Sequence, residues 1–463
     1  MMADFASYQS PFSWRYGSPA MRGIWSEENK RKLWRRLWIA LAEAQVEWDL
    51  VSPAQLDELK AHAHEVDVAR ALEIEAVNHH DLMAELKVFA SQCPHAGGVL
   101  HLGATSMDIK DNAEVLQICQ SLELLLPRLA ELLKAFVDKI ETYTDLPVLA
   151  FTHLQPAEPT TLGYRLASYA QDLLADYKAL VHLRGELKGK GFKGAVGSAA
   201  SYVMLYGEDG QRRLEESLSR SLDLPFFEVT TQTYSRKQDY TLLCALSGLA
   251  ATCAKFAFDL RLLQSEVIGE LGEPFGAQQV GSSAMPFKRN PIESEKIDSL
   301  ARAVSAAPLT AWHNYAGSLL ERTLDDSANR RTLFPETFLA LDEILAAMQA
   351  IVSGLRVNEA AIKANLAKFG PFAATERLLM AAVKNGADRQ ETHEVLRQLS
   401  MTAWEAIQEG KANPLVELAC ADGRLARWLA PQEIRALFSV EGYTGIAASR
   451  AREIVKLILD KMS

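Results

Sequence analysis

The chain has 463 residues, 48% of them hydrophobic and 23% charged, which suits a globular protein with a sizeable core and room for roughly three average domains. A formal charge of −10 argues against a general nucleic-acid binder, which needs a basic face, but leaves an anionic small molecule open. Five cysteines (Cys93, Cys119, Cys244, Cys253 and Cys420) form no CxxC pair, so they read as core filler in a reduced, cytoplasmic setting.

No basic segment followed by an apolar run opens the chain, so no secretory signal is expected. No stretch approaches the length of about eighteen uninterrupted apolar residues that a membrane span needs. Short mixed helices are expected over the first hundred or so residues, where Trp34, Trp38 and Leu41 stand at helical spacing and read as core.

From there the pattern changes to long apolar seams in steps of three and four. The first is Val115, Cys119, Leu122, Leu126, Leu129, Leu133, Phe136 and Ile140, with Pro127 as an expected kink. Leu162, Leu166, Tyr169, Leu173, Tyr177 and Leu180 make another. Strands are expected to be scarce, with a small hairpin near Gly189–Ser201. A further seam, Leu242 through Leu246, Leu249, Cys253, Phe256, Leu260 and Leu263 to Val267, would extend about 40 Å. The segment after Asn290 and the series Phe338, Leu341, Leu345, Met348 and Val352 add more. Helices this long need one another, and the same helices of other copies, to bury their faces. The chain thus reads as all-α, with an N-terminal helical domain (1–105), a central long-helix bundle (106–357) and a C-terminal helical domain (358–463).

The residues that carry chemistry lie in short clusters. Gly281-Ser282-Ser283-Ala284-Met285-Pro286-Phe287-Lys288-Arg289-Asn290-Pro291 puts two hydroxyls behind a glycine, with a lysine and an asparagine close after. Neutral serine is a poor base, so proton abstraction there needs nearby positive charge, and Lys288 is the local source. His153, in Phe151-Thr152-His153-Leu154-Gln155-Pro156, is suited to donating a proton near neutral pH. His79-His80-Asp81 and His101-Leu102-Gly103-Ala104-Thr105-Ser106 are two further polar groups, the second also an ordinary helix start. No HExxH, cysteine cluster, P-loop or dinucleotide fingerprint occurs, so no metal or cofactor is expected. His62-Ala63-His64 lacks further ligands and reads as a solvated face.

The 281–291 run resembles the signature loop of the fumarase/aspartase superfamily, G-S-S-x-M-P-x-K-x-N-P. Arg322-Thr323-Leu324-Asp325-Asp326-Ser327-Ala328-Asn329-Arg330-Arg331 is similar to the phosphate-gripping segment of the adenylosuccinate lyase branch. The resemblance runs from Arg15 almost to the C-terminus. It implies a fumarase/aspartase-type fold and a homotetramer with a shared helical core. It also implies β-elimination of fumarate from adenylosuccinate, giving AMP, and from SAICAR, giving AICAR. Carried over residue by residue, it makes Ser282 the base and His153 the general acid. Lys288 and Asn290 bind the succinyl carboxylates and stabilise the intermediate. His80 sits near the substrate with Asp81 beside it, Thr105 and Ser106 contact the fumarate side, and Thr152 also binds substrate. Arg15, Tyr16, Arg322, Ser327 and Arg331 hold the phosphate, and Gln232 makes a further contact. Two positions depart from the pattern: His79 and Lys296 stand where arginines are expected. Another fumarate-releasing lyase, a cycloisomerase on the same scaffold and a catalytically silent helical scaffold are the alternatives. The 322–331 segment weighs against the first two, and Ser282, His153, Lys288 and Asn290 together weigh against the third.

Overall fold

A computed structural model of the chain describes residues 6–440 and 442–462. Among these the chain forms sixteen α-helices and two small two-stranded sheets. It divides into two compact units: Met1–Leu129, Asp176–Ala251 and Ser299–Ala346 make the first, and Ala130–Ala175, Thr252–Asp298 and Ala347–Ser463 the second.

The first unit opens with short helices, each started by a polar cap. They are α1 (Pro19–Ile24), α2 (Glu27–Gln45), α3 (Pro53–Ala61), α4 (Val68–Asn78) and α5 (Asp81–Gln92). Ser18, Ser26, Ser52, Asp67 and His80 respectively accept a backbone N–H of the first turn, satisfying donors that the helix cannot. Trp34, Trp38 and Leu41 of α2 are buried, as their spacing predicts.

The seams form the long helices α6 (Ser106–Thr142), α7 (Leu162–Glu186), α9 (Lys237–Gln264), α10 (Ile292–Ala316) and α11 (Ser327–Ser353), and a further helix, α8 (Ala200–Leu222), follows α7 where no seam was read. Helix α6 continues through Pro127, and Val115, Leu122, Leu129, Leu133, Phe136 and Ile140 are buried along it. Leu242, Leu246, Leu249, Cys253, Phe256, Leu260 and Leu263 of α9 are likewise buried. Val267 does not continue that seam: α9 ends at Gln264 and Val267 is exposed. The reason is local, since Ser265 Oγ donates to the Leu262 carbonyl and Gly269, at φ +66°, returns its N–H to Ser265 O. By length and composition α9 could cross a membrane, with a mean hydropathy of 1.6 over its most apolar window. That differs from the reading of uninterrupted apolar runs, yet its buried seam is the pattern of a core helix.

The hairpin lies elsewhere than predicted. In the second unit β1 (Pro147–Thr152) pairs antiparallel with β2 (Gln155–Thr161), and Thr152 faces Gln155, leaving two residues in the turn. Residues 189–199 instead form a loop with one isolated bridge, Gly189 to Phe226, and 200–201 open α8. Gly191, Gly194 and Gly197 there all take positive φ, a curled path that suits glycine and prevents strand pairing. A short pair, β3 (Leu271–Gly272) with β4 (Arg356–Val357), completes the sheets. The rest of the second unit is α12 (Glu359–Lys384), α13 (Arg389–Gln408), α14 (Leu415–Ala421), α15 (Pro431–Leu437) and α16 (Ala447–Met462). Leu378, Ala382, Ala403, Leu415, Ala419 and Ile434 form a fully buried cluster among them.

Candidate active site

The first unit contains a cleft of about 480 Å³. One wall is the α4–α5 junction. Helix α4 stops because His79 turns left-handed (φ 54°, ψ 30°), and His80 then takes an extended conformation as the cap of α5. His80 Nδ1 accepts the Met83 N–H at 3.3 Å. In the neutral ring the proton must therefore sit on Nε2, which lies 3.3 Å from Ser106 Oγ at the start of α6. That arrangement leaves the Ser106 hydroxyl hydrogen available to another acceptor.

Asp81 follows at the N-terminus of α5, where a negative charge is favoured. Its carboxylate meets Lys110 Nζ at 2.7 and 3.0 Å and Arg331 Nη2 at 3.1 Å, and accepts the Leu82 N–H at 2.7 Å. Burial alone would raise this carboxyl; Lys110, Leu82 and Arg331 outweigh it and hold it below its ordinary range. Lys110 was not found in the sequence reading. It stands one helical turn after Ser106, so the i,i+4 spacing was the available signal. His79 and Lys110 both line the same cleft.

Thr105 and Ser106 are set by Asp108, which is fully buried. Asp108 accepts the Thr105 N–H at 2.9 Å and the Lys193 and Gly194 N–H groups at 3.2 Å, and pairs with Lys190. Nearby His101 accepts the Trp38 indole N–H on Nδ1 at 3.0 Å, and burial pushes its pKa below the ordinary histidine value.

The 322–331 segment, running into the start of α11, also lines the cleft. Arg322 donates to Asp326 Oδ1 at 2.8 Å, and buried Arg236 joins Asp326 Oδ2 (2.8 Å) to Asp111 Oδ1 (3.0 Å). Burial disfavours the Arg236 charge, but Asp111, Tyr234 and Asp326 raise its pKa instead. Asp326 is held below its ordinary value because Arg236 and Arg322 outweigh its burial. Arg330, also buried, pairs with Glu114 and Asp239 and donates to Tyr234 Oη. Ser327, Arg331 and Gln232 line the cleft, the Gln232 backbone N–H donating to Glu321 O at 3.1 Å. Arg236, Arg330, Asp111 and Glu114 were missed because each acts through partners far away in sequence. Arg15 and Tyr16 do not line this cleft. The Arg15 guanidinium lies 5.8 Å from the ring centroids of both Trp14 and Tyr16.

The other candidates belong to the second unit, and none lines the cleft. His153 and Leu154 are the two turn residues of the hairpin, at φ 54° and 60°. Two positive φ values match a type I′ turn, and they put His153 at an exposed tip with Thr152 beside it. In the signature loop Ser282 Oγ accepts the Met285 N–H at 3.0 Å and the Ala284 N–H at 3.3 Å. Two backbone donors favour a negative oxygen there. Ser283 next to it is exposed, as is Lys288. Asn290 Nδ2 closes the loop by donating to Gly281 O at 2.9 Å. Lys296 pairs with Glu293 at 2.7 Å on the first turns of α10.

Comparison with known proteins places this arrangement. Residues 15–305 match the lyase family model, and residues 371–454 match the model of the adenylosuccinate lyase C-terminus. Adenylosuccinate lyase of Schistosoma mansoni is 41% identical over 423 residues, covering 90% of this chain and 88% of that protein. The chain belongs to the adenylosuccinate lyase family. The family member from Saccharomyces cerevisiae is 37% identical over 465 residues, covering 98% and 95%, and that from Archaeoglobus fulgidus 36% over 450 residues, covering 97% and 98%. Among solved structures, 3-carboxy-cis,cis-muconate lactonizing enzyme from Pseudomonas putida superimposes with a TM-score of 0.88 at 24% identity, covering 98% of this chain and 100% of that one. Fumarate lyase from Mesorhizobium sp. BNC1 gives 0.84 at 23%, covering 97% and 99%. These two share the family's all-α fold, as the signature loop led one to expect.

Proposed function

We propose that the chain eliminates fumarate from adenylosuccinate, giving AMP, and from SAICAR, giving AICAR, within purine nucleotide synthesis. The observation that carries this reading is the single cleft lined together by Arg322, Ser327, Arg331, His80 and Ser106. Arginines and a helix start suit a phosphate monoester, and both substrates combine a ribose 5-phosphate with a succinylamino group.

In the reaction, Ser282 as the alkoxide takes the proton from the carbon β to the leaving nitrogen. The freed electron pair spreads into the adjacent carboxylate, where Lys288 and Asn290 meet the growing charge. The pair then forms the fumarate double bond as the C–N bond breaks, and the leaving nitrogen receives its proton from His153. Thr105, Ser106, Thr152 and Lys296 serve the succinyl side, Gln232 and His80 orient the substrate, and Arg15 and Tyr16, outside the cleft of their own chain, would join the phosphate grip in the assembled form. The chemistry runs on the chain's own acids and bases.

The working form is a cytoplasmic homotetramer built on three domains, 1–105, 106–357 and 358–463. In support, only 44% of the most apolar window of α9 is buried within a single chain. Phe258 and Leu262 of α9, and Leu309, Trp312 and Tyr315 of α10, remain exposed, apolar side chains that other copies of the chain would cover. The test is to incubate purified protein with adenylosuccinate and with argininosuccinate and to separate the products chromatographically. AMP and fumarate from the first alone support the reading; turnover of argininosuccinate alone, or of neither, refutes it.

A further inference from the structure

The ion pairs of the cleft are unevenly shared. Arg236 is held between Asp111 and Asp326, and Arg330 between Glu114 and Asp239. Those four acids absorb the two buried guanidinium groups, and Arg322 is tied to Asp326 as well. At Asp81 the ratio is reversed. One carboxylate serves two cations, Lys110 and Arg331, and among the described residues neither pairs with another acid.

The two partners differ in freedom. Lys110 is the more buried and reaches both carboxylate oxygens, at 2.7 and 3.0 Å. Arg331 touches one oxygen at 3.1 Å, with its side chain 54% exposed. An incoming dianion can therefore draw Arg331 away from Asp81 without leaving that carboxylate unpaired, because Lys110 stays. Without Lys110, the largely buried Asp81 would keep Arg331 as its close cation, since His80 Nδ1 at 3.8 Å is occupied by the Met83 N–H, and releasing Arg331 would expose an uncompensated charge.

Resting on the proposed reading, we infer that Lys110 is a positioning residue for phosphate binding: by neutralising Asp81 it leaves Arg331 available to a nucleoside monophosphate. Nothing in the signature loop or the 322–331 segment indicates such a role for a residue in the second turn of α6.

The experiment is calorimetric titration of the full-length protein with AMP and with adenosine. Lys110→Met should weaken AMP binding about tenfold, the scale of one charge-assisted hydrogen bond, while adenosine binding changes by less than about twofold. Lys110→Arg should stay close to wild type. The decisive variant is Lys110→Met combined with Asp81→Asn: removing the carboxylate frees Arg331 again, so AMP affinity should recover most of the loss. A lysine needed only to keep the fold intact would instead lower AMP and adenosine binding alike. Should Lys110→Met not fold, Lys110→Gln carries the same comparison. Unchanged AMP affinity, equal losses for AMP and adenosine, or a double variant no better than the single one each overturn the inference while the proposed function stands. Wild-type protein that does not bind AMP overturns both.

Discussion

Gly281 lies against the carbonyl of Lys288 so closely that a Cβ built on it would sit 2.1 Å from that oxygen. The signature loop therefore closes upon its own glycine, and the Asn290 amide fastens the same peptide from the other side. Gly281→Ala must push the loop open. Because the loop is largely exposed, thermal stability should change little. Turnover should fall by about a hundredfold, the effect of misplacing a reacting group by an ångström. Near-normal turnover by steady-state assay would show that the closure is dispensable.

Ser282→Ala removes the proposed base and leaves the cleft of the first unit untouched. Turnover should drop by about 10³-fold while AMP binding, read by calorimetry, stays within a factor of two or so. Loss of AMP binding in parallel with turnover would assign Ser282 to binding.

His153 occupies a left-handed turn position, so replacing it by alanine mixes chemical and conformational effects. Asparagine tolerates that conformation, which makes His153→Asn the cleaner variant. Elimination should slow by about 10²-fold or more, and a substrate analogue with a more acidic leaving nitrogen should suffer less. Equal losses for good and poor leaving groups would count against a role as the acid.

Shared sites can be tested by mixing Ser282→Ala with His153→Asn under conditions of subunit exchange. If the two residues reach one site from different chains, random hybrids should regain up to about a quarter of wild-type activity. Proteins that demonstrably exchange subunits yet regain nothing would place both residues of a site in one chain.

Asp326 links acid stability to the cleft wall. Its folded pKa lies below its ordinary value of 3.8, so its ion pairs stabilise the fold above about pH 4 and lose that contribution as the pH falls through the depressed folded value. Asp326→Asn should cost about 3 kcal/mol near neutrality, as expected for breaking a buried pair. The gap between variant and wild type in denaturant titrations should narrow below about pH 4. A gap that does not change with pH would mean that the Asp326 charge contributes little.

The long helices were legible because their seams repeat over many turns, and Leu242 through Leu263 needed no tertiary information. Val267 fitted the same spacing but was misplaced, since the hydrogen bonds of Ser265 and Gly269 end the helix and leave no periodic trace. The hairpin was hidden for a related reason. Its turn, His153-Leu154, lacks the usual glycine or asparagine, and Pro156 and Pro159 in β2 argue against a strand, whereas the glycines of 189–201 imitate a turn. Of the site, the residues within compact motifs were visible. Lys110 and Arg236 were not, because Lys110 acts through Asp81, 29 residues before it on another helix, and Arg236 reaches back 125 residues to Asp111. Such pairs exist only once helices have packed.

The two-residue turn between β1 and β2 also limits how this protein can vary in length. Adding or deleting one residue at the tip would unpair Thr152 from Gln155 and Phe151 from Pro156, the register on which the turn closes. Insertions that surface loops usually absorb are therefore closed off at His153, and related chains should keep a fixed number of residues from Pro147 to Thr161 even where their identities drift.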